Sequence, residues 1–360
     1  MSAIITSSEL DRIGISRRRR EAALTCCLAR VRRGLYIVRP GCRLPAHAIL
    51  QAHARVDQKP ATAATGARRS RERDGGQGAA RDSSVTRAVD VDLSDLDRAG
   101  IRGHASRLTI LARSYAGELP PGCGLSHQSA ALLWGLPLTR SNQSKVEAIM
   151  PTRSLSTAKR VIRRRAVDPD DFTTVDGIRV TTVARTLLDV ALDHPMDVSV
   201  PMIDHALRAR LVDPATLDAM AEGIRGSRGA KLARAAFALA DAARESPAES
   251  ICAVRFHEHG IEGFEPQISF RIDADGTIAR VDFFHREALV VVEVNGEIKY
   301  SDGDPGAARA RQERTREFRL RNLGHHVFQL GWADLFRPDM FREIAWAVRT
   351  RSSGQSHPVR

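Results

Sequence analysis

The sequence predicts a multidomain protein of mixed α+β and α/β class, and three observations support that prediction. Residues 1–40 carry two short helical patterns followed by paired strand patterns, the order found in a helix-turn-helix with a β-wing. A polar stretch that is poor in large apolar residues begins near residue 56. The last third of the chain alternates helical and strand patterns around acidic residues that stand in apolar surroundings.

The chain divides into five predicted segments. Its 360 residues suffice for two or three domains with sizeable cores. The polar stretch cannot bury enough apolar surface to offset the entropy of ordering it, so it is predicted to be a disordered linker or insertion. The segments are a DNA-binding domain at 1–55, the linker at 56–100, a mixed central domain at 101–245, an α/β domain at 246–349 and a disordered tail at 350–360.

The charge balance predicts a polyanionic partner. The formal net charge is +12 and the isoelectric point is near 10.3, which favours nucleic acid and most simply DNA. The chain is also rich in Arg and Ala and poor in Lys, so the codon usage of a GC-rich genome is an alternative source of part of this excess.

The five cysteines show neither the spacing of a zinc motif nor the even number of a disulfide framework. We therefore expect reduced, mostly buried thiols and no zinc site. Glu9 and Asp11 follow closely on Ile4 and Ile5, so the N-terminus lacks the apolar core of a signal peptide. No apolar run approaches the roughly 18 residues of a membrane span. These patterns predict a cytoplasmic protein without a membrane partner.

The N-terminal segment predicts a winged helix-turn-helix. A short helix opens at Ser7 or Ser8, a turn falls at Gly14, and a second helix follows Ser16, which is an N-cap candidate. A two-stranded wing is predicted around Val31–Val38. Residues 1–34 hold eight Arg against three acidic residues, which favours DNA contact. A protein-docking domain with a solvated basic face is the alternative.

Arginines of the second helix and of the wing are the candidate DNA contacts, the first near base edges and the second near phosphates. The candidates are Arg17, Arg18, Arg19 and Arg20 on the helix and Arg30, Arg32 and Arg33 on the wing. The segment GISRRRREAALTCCLARVRRGLYIV resembles the N-terminal domain of the AbiEi-type antitoxins of abortive-infection systems. That resemblance implies binding to operator DNA.

The central segment predicts two helices and has no assigned chemistry. Ser126 is the predicted cap of the first helix. His127 has no evident partner in the sequence, so a structural or capping role is favoured over acid–base chemistry. Arg185 and Asp189 are four residues apart on the second helix, which predicts an ion pair. The segments GLSHQSAALLWGLPL and DGIRVTTVARTLLDVA resemble the central region of the same antitoxin family.

Three carboxylates stand in otherwise apolar sequence towards the C-terminus. Glu249 lies on a predicted helix, and Asp282 and Glu293 lie on the two strands of a predicted hairpin. The loop between the strands decides their register. A two-residue loop makes Asp282 and Glu293 diagonal neighbours, a four-residue loop at 286–289 places them opposite each other, and a three-residue loop separates them.

Such carboxylates predict a divalent metal site. Charges buried among Val and Phe need an ion, or Arg and Lys partners, to offset their desolvation. Carboxylate oxygens suit Mg²⁺ or Mn²⁺, which would polarise a scissile phosphate and activate a water molecule. Lys299 follows the second strand and is a candidate to orient that water or to balance developing charge.

Four segments in a fixed order, ESPAE, GFEPQ, VVVEVNGEIKY and RQERTREFRLRNLGHHVFQLGWADL, resemble actinobacterial families related to the very-short-patch repair (Vsr) endonucleases. The resemblance covers about 100 residues and implies a PD-(D/E)XK restriction-endonuclease-like α/β fold at 246–349. It implies a catalytic and metal-binding set made of Glu249, Asp282, Glu293, Asn295 and Lys299.

Two positions depart from the pattern of those families. Asn295 stands where Asp is usual, and Gln329 stands where Arg is common. Asn295 still offers a carbonyl oxygen to a metal, but the lost charge argues against full activity. A nuclease fold kept as a scaffold or DNA-binding domain is therefore an alternative.

A basic helix predicted at 308–324 supplies a second surface for DNA. Arg311 and Arg314 are its candidate phosphate contacts. A solvated amphipathic helix with internal ion pairs is the alternative.

Two functions of different class follow from these patterns. The first is a Mg²⁺- or Mn²⁺-dependent DNA endonuclease that the winged helix directs to DNA, in phage defence or repair. The second is an antitoxin-like transcriptional regulator with a catalytically inactive nuclease-fold domain and a toxin as protein partner. The acidic set favours the first function, whereas Asn295 and the regulator-like front half favour the second.

Overall fold

The computed structural model describes residues 4–39, 42–56, 100–140, 144–224, 226–271, 278–295 and 315–354. Lys299, Arg311, Arg314 and residues 57–99 of the predicted linker lie outside the described residues. The chain forms two compact units, Met1–Gly135 with Ser141–Thr182 and Leu136–Arg140 with Val183–Arg360. Both units contain helices and sheets, which confirms the predicted mixed α and β class. The boundary predicted after residue 245 lies inside the second unit.

The first unit begins with two short helices and a three-stranded sheet. Thr6 and Glu9 form a capping box at the first helix, which begins at Ser7 as predicted, and Ser16 caps the second helix by accepting the Arg19 amide. The wing hairpin is longer than predicted, because pairing starts at Leu28. The elements are β1 (Ile4–Thr6), α1 (Ser7–Arg12), α2 (Arg17–Ala23), β2 (Leu28–Arg32) and β3 (Leu35–Val38), with the strand order β1-β3-β2.

Apolar side chains from every part of this module meet in one small core. Ile5, Leu10 and Ile15 are buried against Leu28, and Leu50 closes the core from α3 (Ala48–Val56). Burying side chains of this size stabilises the fold by roughly 1.5–3 kcal/mol each. The two helices and the hairpin are thereby fixed as one body.

A six-stranded mixed sheet forms the rest of the first unit, in the order β6-β7-β5-β4-β9-β8. Helix α5 lies against it with every residue buried, and α4 packs beside α5. The elements are α4 (Gly100–Ala116), β4 (Gly124–Leu125), α5 (His127–Leu133), β5 (Val146–Met150), β6 (Leu155–Ser156), β7 (Arg160–Arg164), β8 (Phe172–Val175) and β9 (Ile178–Thr181).

The second unit begins with four helices that pack on one another. The predicted ion pair within the first of them is confirmed, since Arg185 Nε lies 3.2 Å from Asp189 Oδ1. Asp204 and Arg244 form a further buried pair at 2.9 Å. The helices are α6 (Val183–Asp193), α7 (Met196–Arg208), α8 (Pro214–Gly223) and α9 (Ala230–Leu239).

A four-stranded sheet follows, in the order β10-β11-β12-β13, with the last pair parallel. Val290, Val292 and Val294 pack on one face against α10 and α12, whereas Val291 packs on the other face with Leu320 of α11. The elements are α10 (Pro247–Glu258), β10 (Phe264–Arg271), β11 (Ile278–His285), β12 (Val290–Asn295), α11 (described at 315–322), β13 (His326–Gly331) and α12 (Pro338–Gly354).

The C-terminal boundary corrects one prediction. Helix α12 continues to Gly354, so the first residues of the predicted disordered tail are helical. Thr350 contributes to this continuation, because its hydroxyl donates to the Trp346 carbonyl one turn earlier. Among the described residues, none of the helices is both long and apolar enough to cross a lipid bilayer.

Candidate functional sites

The first candidate site is a basic surface formed by α2 and the β2–β3 hairpin. Arg17, Arg18 and Arg19 are exposed on α2, and Arg30 and Arg33 are exposed on the hairpin. Side chains from both elements line one shallow depression, which contains Arg17, Arg20, Arg30 and Arg33. Several guanidinium groups around one concave surface are an arrangement that suits phosphate groups, so this surface is the candidate DNA interface.

Two of the predicted DNA contacts, Arg20 and Arg32, are largely buried by contacts within the protein. Arg20 donates from Nε to the Ile15 carbonyl at 3.0 Å and pairs with Asp11, and its side chain is only 11% exposed. These contacts fix the turn between α1 and α2. Arg20 therefore has a structural role that the sequence did not indicate.

Arg32 is held in the same way, by α4. Its guanidinium donates to the Ser114 carbonyl at 3.1 Å, pairs with Glu118, and lies 4.5 Å from the centre of the Tyr115 ring. A guanidinium stacked on an aromatic ring and hydrogen-bonded to backbone contributes to packing as well as to charge. The exposed arginines on α2 and on the hairpin remain the better candidates for DNA contact.

The second candidate site lies where β11 and β12 separate. The hairpin has the four-residue loop at 286–289, and backbone pairing ends at Phe283 and Val292. At the next residue, Asp282, a side-chain hydrogen bond replaces the backbone pairing. Its Oδ2 accepts the Val294 amide at 2.7 Å. The Asp282 carboxylate therefore occupies the fork between the strands.

Gln267 connects Asp282 to Glu249. Its Nε2 donates to Glu249 Oε2 at 2.7 Å and lies 3.5 Å from Asp282 Oδ1. Gln267 has φ +55°, a left-handed conformation that side chains other than Gly, Asn and Asp rarely adopt. Such a conformation costs of order 1–3 kcal/mol and persists only where neighbouring contacts fix it.

Glu249 is nearly fully buried at the first turn of α10. Its Oε2 also accepts the Glu245 amide at 2.9 Å. Burial raises the pKa of Asp282, and the nearby charge of Glu249 raises that pKa further, while the Val294 amide, Arg316 and Gln267 oppose the rise. A shifted carboxyl group beside a second carboxylate is a common feature of functional sites.

Glu293 is separated from this pair, although the four-residue loop was expected to place it opposite Asp282. Regular pairing of the two strands ends one residue earlier, at Phe283 and Val292. Because Val292 and Val294 pack towards α10, alternation directs Glu293 to the opposite face of the sheet. There Glu293 pairs with Arg316 of α11 at 2.6 Å and accepts from Gln329 Nε2 at 2.7 Å. Asn295 is one step further along, where its Nδ2 donates to Gln329 Oε1 at 3.1 Å.

The predicted three-carboxylate cage is therefore not assembled in this conformation. In the described part of the chain, Glu249, Asp282 and Glu293 do not bring their oxygens within 4.8 Å of one another as a set. Protein donors, chiefly Gln267, Gln329 and Arg316, partner the carboxylates instead. Gln267 was not among the predicted site residues, although GFEPQ was among the segments that carried the resemblance, and Arg316 was expected only as part of the basic helix at 308–324.

A third polar cluster lies at the start of α5. Ser126 stands at the N-cap position, but its hydroxyl bonds to His127 Nδ1 at 2.7 Å and does not cap the helix. Glu147 accepts the Gln128 amide at 3.1 Å and pairs with Arg163 at 3.0 Å. His127 is fully buried with φ +50°, which fits the structural role favoured from the sequence.

Comparison with known families supports the antitoxin resemblance. Residues 122–239 match the family described as the AbiEi antitoxin C-terminal domain. The match covers about a third of the chain, including the α5 cluster and the helices α6 to α9. The class to which this region is similar is therefore that of toxin–antitoxin and abortive-infection proteins. No curated protein and no solved structure matches the chain.

Proposed function

We propose that the protein is a DNA-binding regulator of the antitoxin type. The observation that carries this proposal is the family match at 122–239. The module before it supports the proposal, because α1, α2 and the β2–β3 hairpin follow the order of a winged helix-turn-helix. In that arrangement α2 would enter the major groove and the hairpin would lie along the phosphates.

The exposed arginines supply the charge that such binding needs. Each phosphate contact releases counterions, so binding weakens with salt by a slope of about 0.9 per contact on a logarithmic scale. Arg18 lies on α2 and Arg33 lies in the hairpin turn, and both are exposed. One substitution at each position therefore tests each element.

The test measures binding to DNA from upstream of the protein's own gene at several salt concentrations. Arg18→Ala and Arg33→Ala should each weaken binding and lower the salt slope by about 0.9. Arg12→Ala is the matched control, because Arg12 is also exposed in this module but lies on α1. Equal losses in all three variants would contradict an interface built from α2 and the hairpin.

A toxin partner follows from the same proposal. The product of an adjacent gene, expressed alone, should arrest growth, and co-expression of this protein should restore growth. Arg18→Ala should keep that protection if neutralisation and DNA binding are separate activities. If no neighbouring product is toxic, the protein regulates something other than a toxin operon.

A metal-dependent DNA endonuclease is the second candidate function, and the pairing of Glu249 with Asp282 favours it. Both groups are acidic oxygen donors, and Gln267 can present either its amide nitrogen or its carbonyl oxygen to the space between them. With a divalent ion bound, the site would gain a Lewis acid that polarises a phosphodiester. Lys299 and Asn295 remain predicted members of this site.

The endonuclease test uses supercoiled plasmid with Mg²⁺ or Mn²⁺. Nicking by the wild-type protein that is lost in Asp282→Ala and retained in Glu262→Ala would support catalysis at the fork. Glu262 is a suitable control because it is an exposed acidic residue of the same unit. Absent cleavage with DNA still bound would exclude the endonuclease and leave the regulator proposal standing.

A further inference from the structure

Three cysteines and one histidine converge on a single point at the edge of the N-terminal module. The ligand atoms of Cys26, Cys27, Cys42 and His47 all lie within 4.8 Å of one another. From the sequence we expected reduced, mostly buried thiols and no zinc site, because these residues do not follow the usual zinc-motif spacing. Their convergence corrects that picture, whereas Cys123 and Cys252 are separate buried thiols as expected.

We propose that Cys26, Cys27, Cys42 and His47 form a structural zinc site. The chemical class of the ion follows from the donor set, since three thiolates and one imidazole suit Zn²⁺ in a closed tetrahedral site. Four protein ligands leave no open position for substrate. The site is separate from the proposed acidic fork and lies in the other compact unit.

The distances between ligand atoms match a tetrahedron around zinc. Zn–S bonds near 2.3 Å and Zn–N bonds near 2.05 Å imply S···S edges of about 3.8 Å and S···N edges of about 3.6 Å. The Sγ atoms of Cys26 and Cys27 are 3.7 Å apart, and those of Cys26 and Cys42 are 3.8 Å apart. His47 Nδ1 lies 3.3, 3.3 and 3.6 Å from the sulfurs of Cys26, Cys27 and Cys42.

Hydrogen bonding alone gives a poor account of this cluster. A neutral imidazole nitrogen has either one proton to donate or one lone pair to accept, so Nδ1 can satisfy one sulfur and not three. Thiols are also weak donors. A cation at the centre would be shared by all four groups, which explains why three sulfurs surround one nitrogen.

The local backbone explains how adjacent cysteines can both be ligands. In a strand, Cys26 and Cys27 would point to opposite faces. Here residues 24–27 form a turn after α2, in which the amides of Cys26 and Cys27 both donate to the Ala23 carbonyl, at 3.1 and 2.9 Å. This turn directs both side chains to one side.

The other two ligands come from the segment after β3. His47 ends a short 3₁₀ helix and is 5% exposed. An ion bound here would join the end of α2 to the start of α3, and so would brace the module that carries the basic surface.

The test starts from the full-length chain, purified with reductant and without chelator. Elemental analysis should find one zinc ion per chain, and Co²⁺ exchanged for it should give the visible absorption of a tetrahedral thiolate site. Cys42→Ser and His47→Ala should lose the stoichiometric metal. Cys123→Ala is the matched control, because Cys123 is a buried thiol of the same unit that lies outside the cluster.

A second measurement covers the case in which the variants fold poorly. In the wild-type protein, alkylation mapped by mass spectrometry should spare Cys26, Cys27 and Cys42 until a chelator is added. Chelation should also lower the melting temperature, because binding energy at a structural zinc site is folding energy. Metal-free protein that takes up no stoichiometric Zn²⁺ or Co²⁺, or a disulfide between Cys26 and Cys42, would overturn the proposal. Metal retained in Cys42→Ser but lost in Asp282→Ala would also overturn it.

Discussion

Gln267 of β10 stands between the two residues that pair with the neighbours of Asp282 on β11, and its side-chain nitrogen is 3.5 Å from the Asp282 carboxylate. The pairs on either side, Pro266 with Phe283 and Ile268 with Val281, keep their register, so the left-handed Gln267 interrupts the ladder locally. The same nitrogen reaches Glu249 at 2.7 Å. A single amide thus offsets the repulsion between two carboxylates.

Gln267→Glu tests that relationship. The substitution replaces a bridging donor with a third carboxylate, so the free energy of unfolding should fall by about 1–3 kcal/mol without divalent ions. Mg²⁺ or Mn²⁺ should restore part of this loss if the fork binds metal. Thermal unfolding with and without the ions measures both effects.

Gln267→Leu is the control for lost hydrogen bonds without added charge. Its melting temperature should also fall but should respond less to Mg²⁺ than that of Gln267→Glu. An identical response of the two variants would argue against a divalent ion at Glu249 and Asp282.

Asp282→Asn should stabilise the protein at neutral pH. Burial raises the pKa of Asp282 above its unfolded value, so the folded state holds this proton to higher pH than the unfolded state does. The unfolded pKa is about 4, the ordinary aspartate value. The contribution of Asp282 to the free energy of unfolding therefore falls as pH rises from there through the higher folded pKa. Asn still accepts the Val294 amide, so the variant should melt about 2 °C or more above wild type at pH 7, with a smaller gap in acid.

Asp213→Ala, in the same compact unit, should show the opposite dependence of stability on pH. Hydrogen bonds from the Thr216 hydroxyl and amide hold the pKa of Asp213 below its ordinary value. The stabilisation from this helix cap is present above the unfolded pKa and is lost as pH falls. Asp213→Ala should therefore melt below wild type at neutral pH, with a gap that narrows in acid. A lower melting temperature for Asp282→Asn at every pH would refute the view that burial destabilises the ionised form of Asp282.

Local sequence signals predicted the elements of this fold well where one residue type decides the outcome. Ser16 caps α2 and Gly14 adopts φ +76° in the turn before it, and both predictions follow from short-range chemistry. The acidic residues on α10, β11 and β12 were also found from their apolar surroundings. Loop length alone did not fix their mutual arrangement, because pairing ends at Phe283 and Val292 and Glu293 pairs with Arg316 instead.

Contacts between distant segments explain what the sequence did not reveal. Gln267 reaches Glu249 only because its strand is broken at a left-handed residue, and no local pattern marks that break. Cys42 meets Cys26 because β2 and β3 fold back on each other. Arg32 was predicted to contact DNA from the wing, yet its guanidinium is held by α4, which follows the predicted linker. In each case a partner far along the chain decides the role.

Arg20→Ala should affect stability more than DNA affinity measured on the folded protein. Its side chain is mostly buried and holds the Ile15 carbonyl and Asp11, so its loss should cost about 1–3 kcal/mol. Arg18→Ala should have the opposite profile, because Arg18 is exposed. Urea unfolding and DNA titration on both variants separate the roles. A stable Arg20→Ala protein with strongly weakened DNA binding would show that Arg20 contacts DNA.

Glu147→Ala should be among the more damaging single changes in the antitoxin-like region. Glu147 is fully buried, accepts the Gln128 amide at the start of α5, and pairs with Arg163 at 3.0 Å. Removing one member of a buried pair leaves the other charge and an amide without their partner, at a cost of about 3 kcal/mol.

Glu118→Ala is the matched comparison, because Glu118 also pairs with an arginine but is 47% exposed. An exposed pair contributes about 1 kcal/mol or less. The urea midpoint should therefore fall clearly for Glu147→Ala and little for Glu118→Ala. Equal midpoints would mean that Arg163 turns to solvent when Glu147 is absent, and that the α5 cluster is less rigid than its burial indicates.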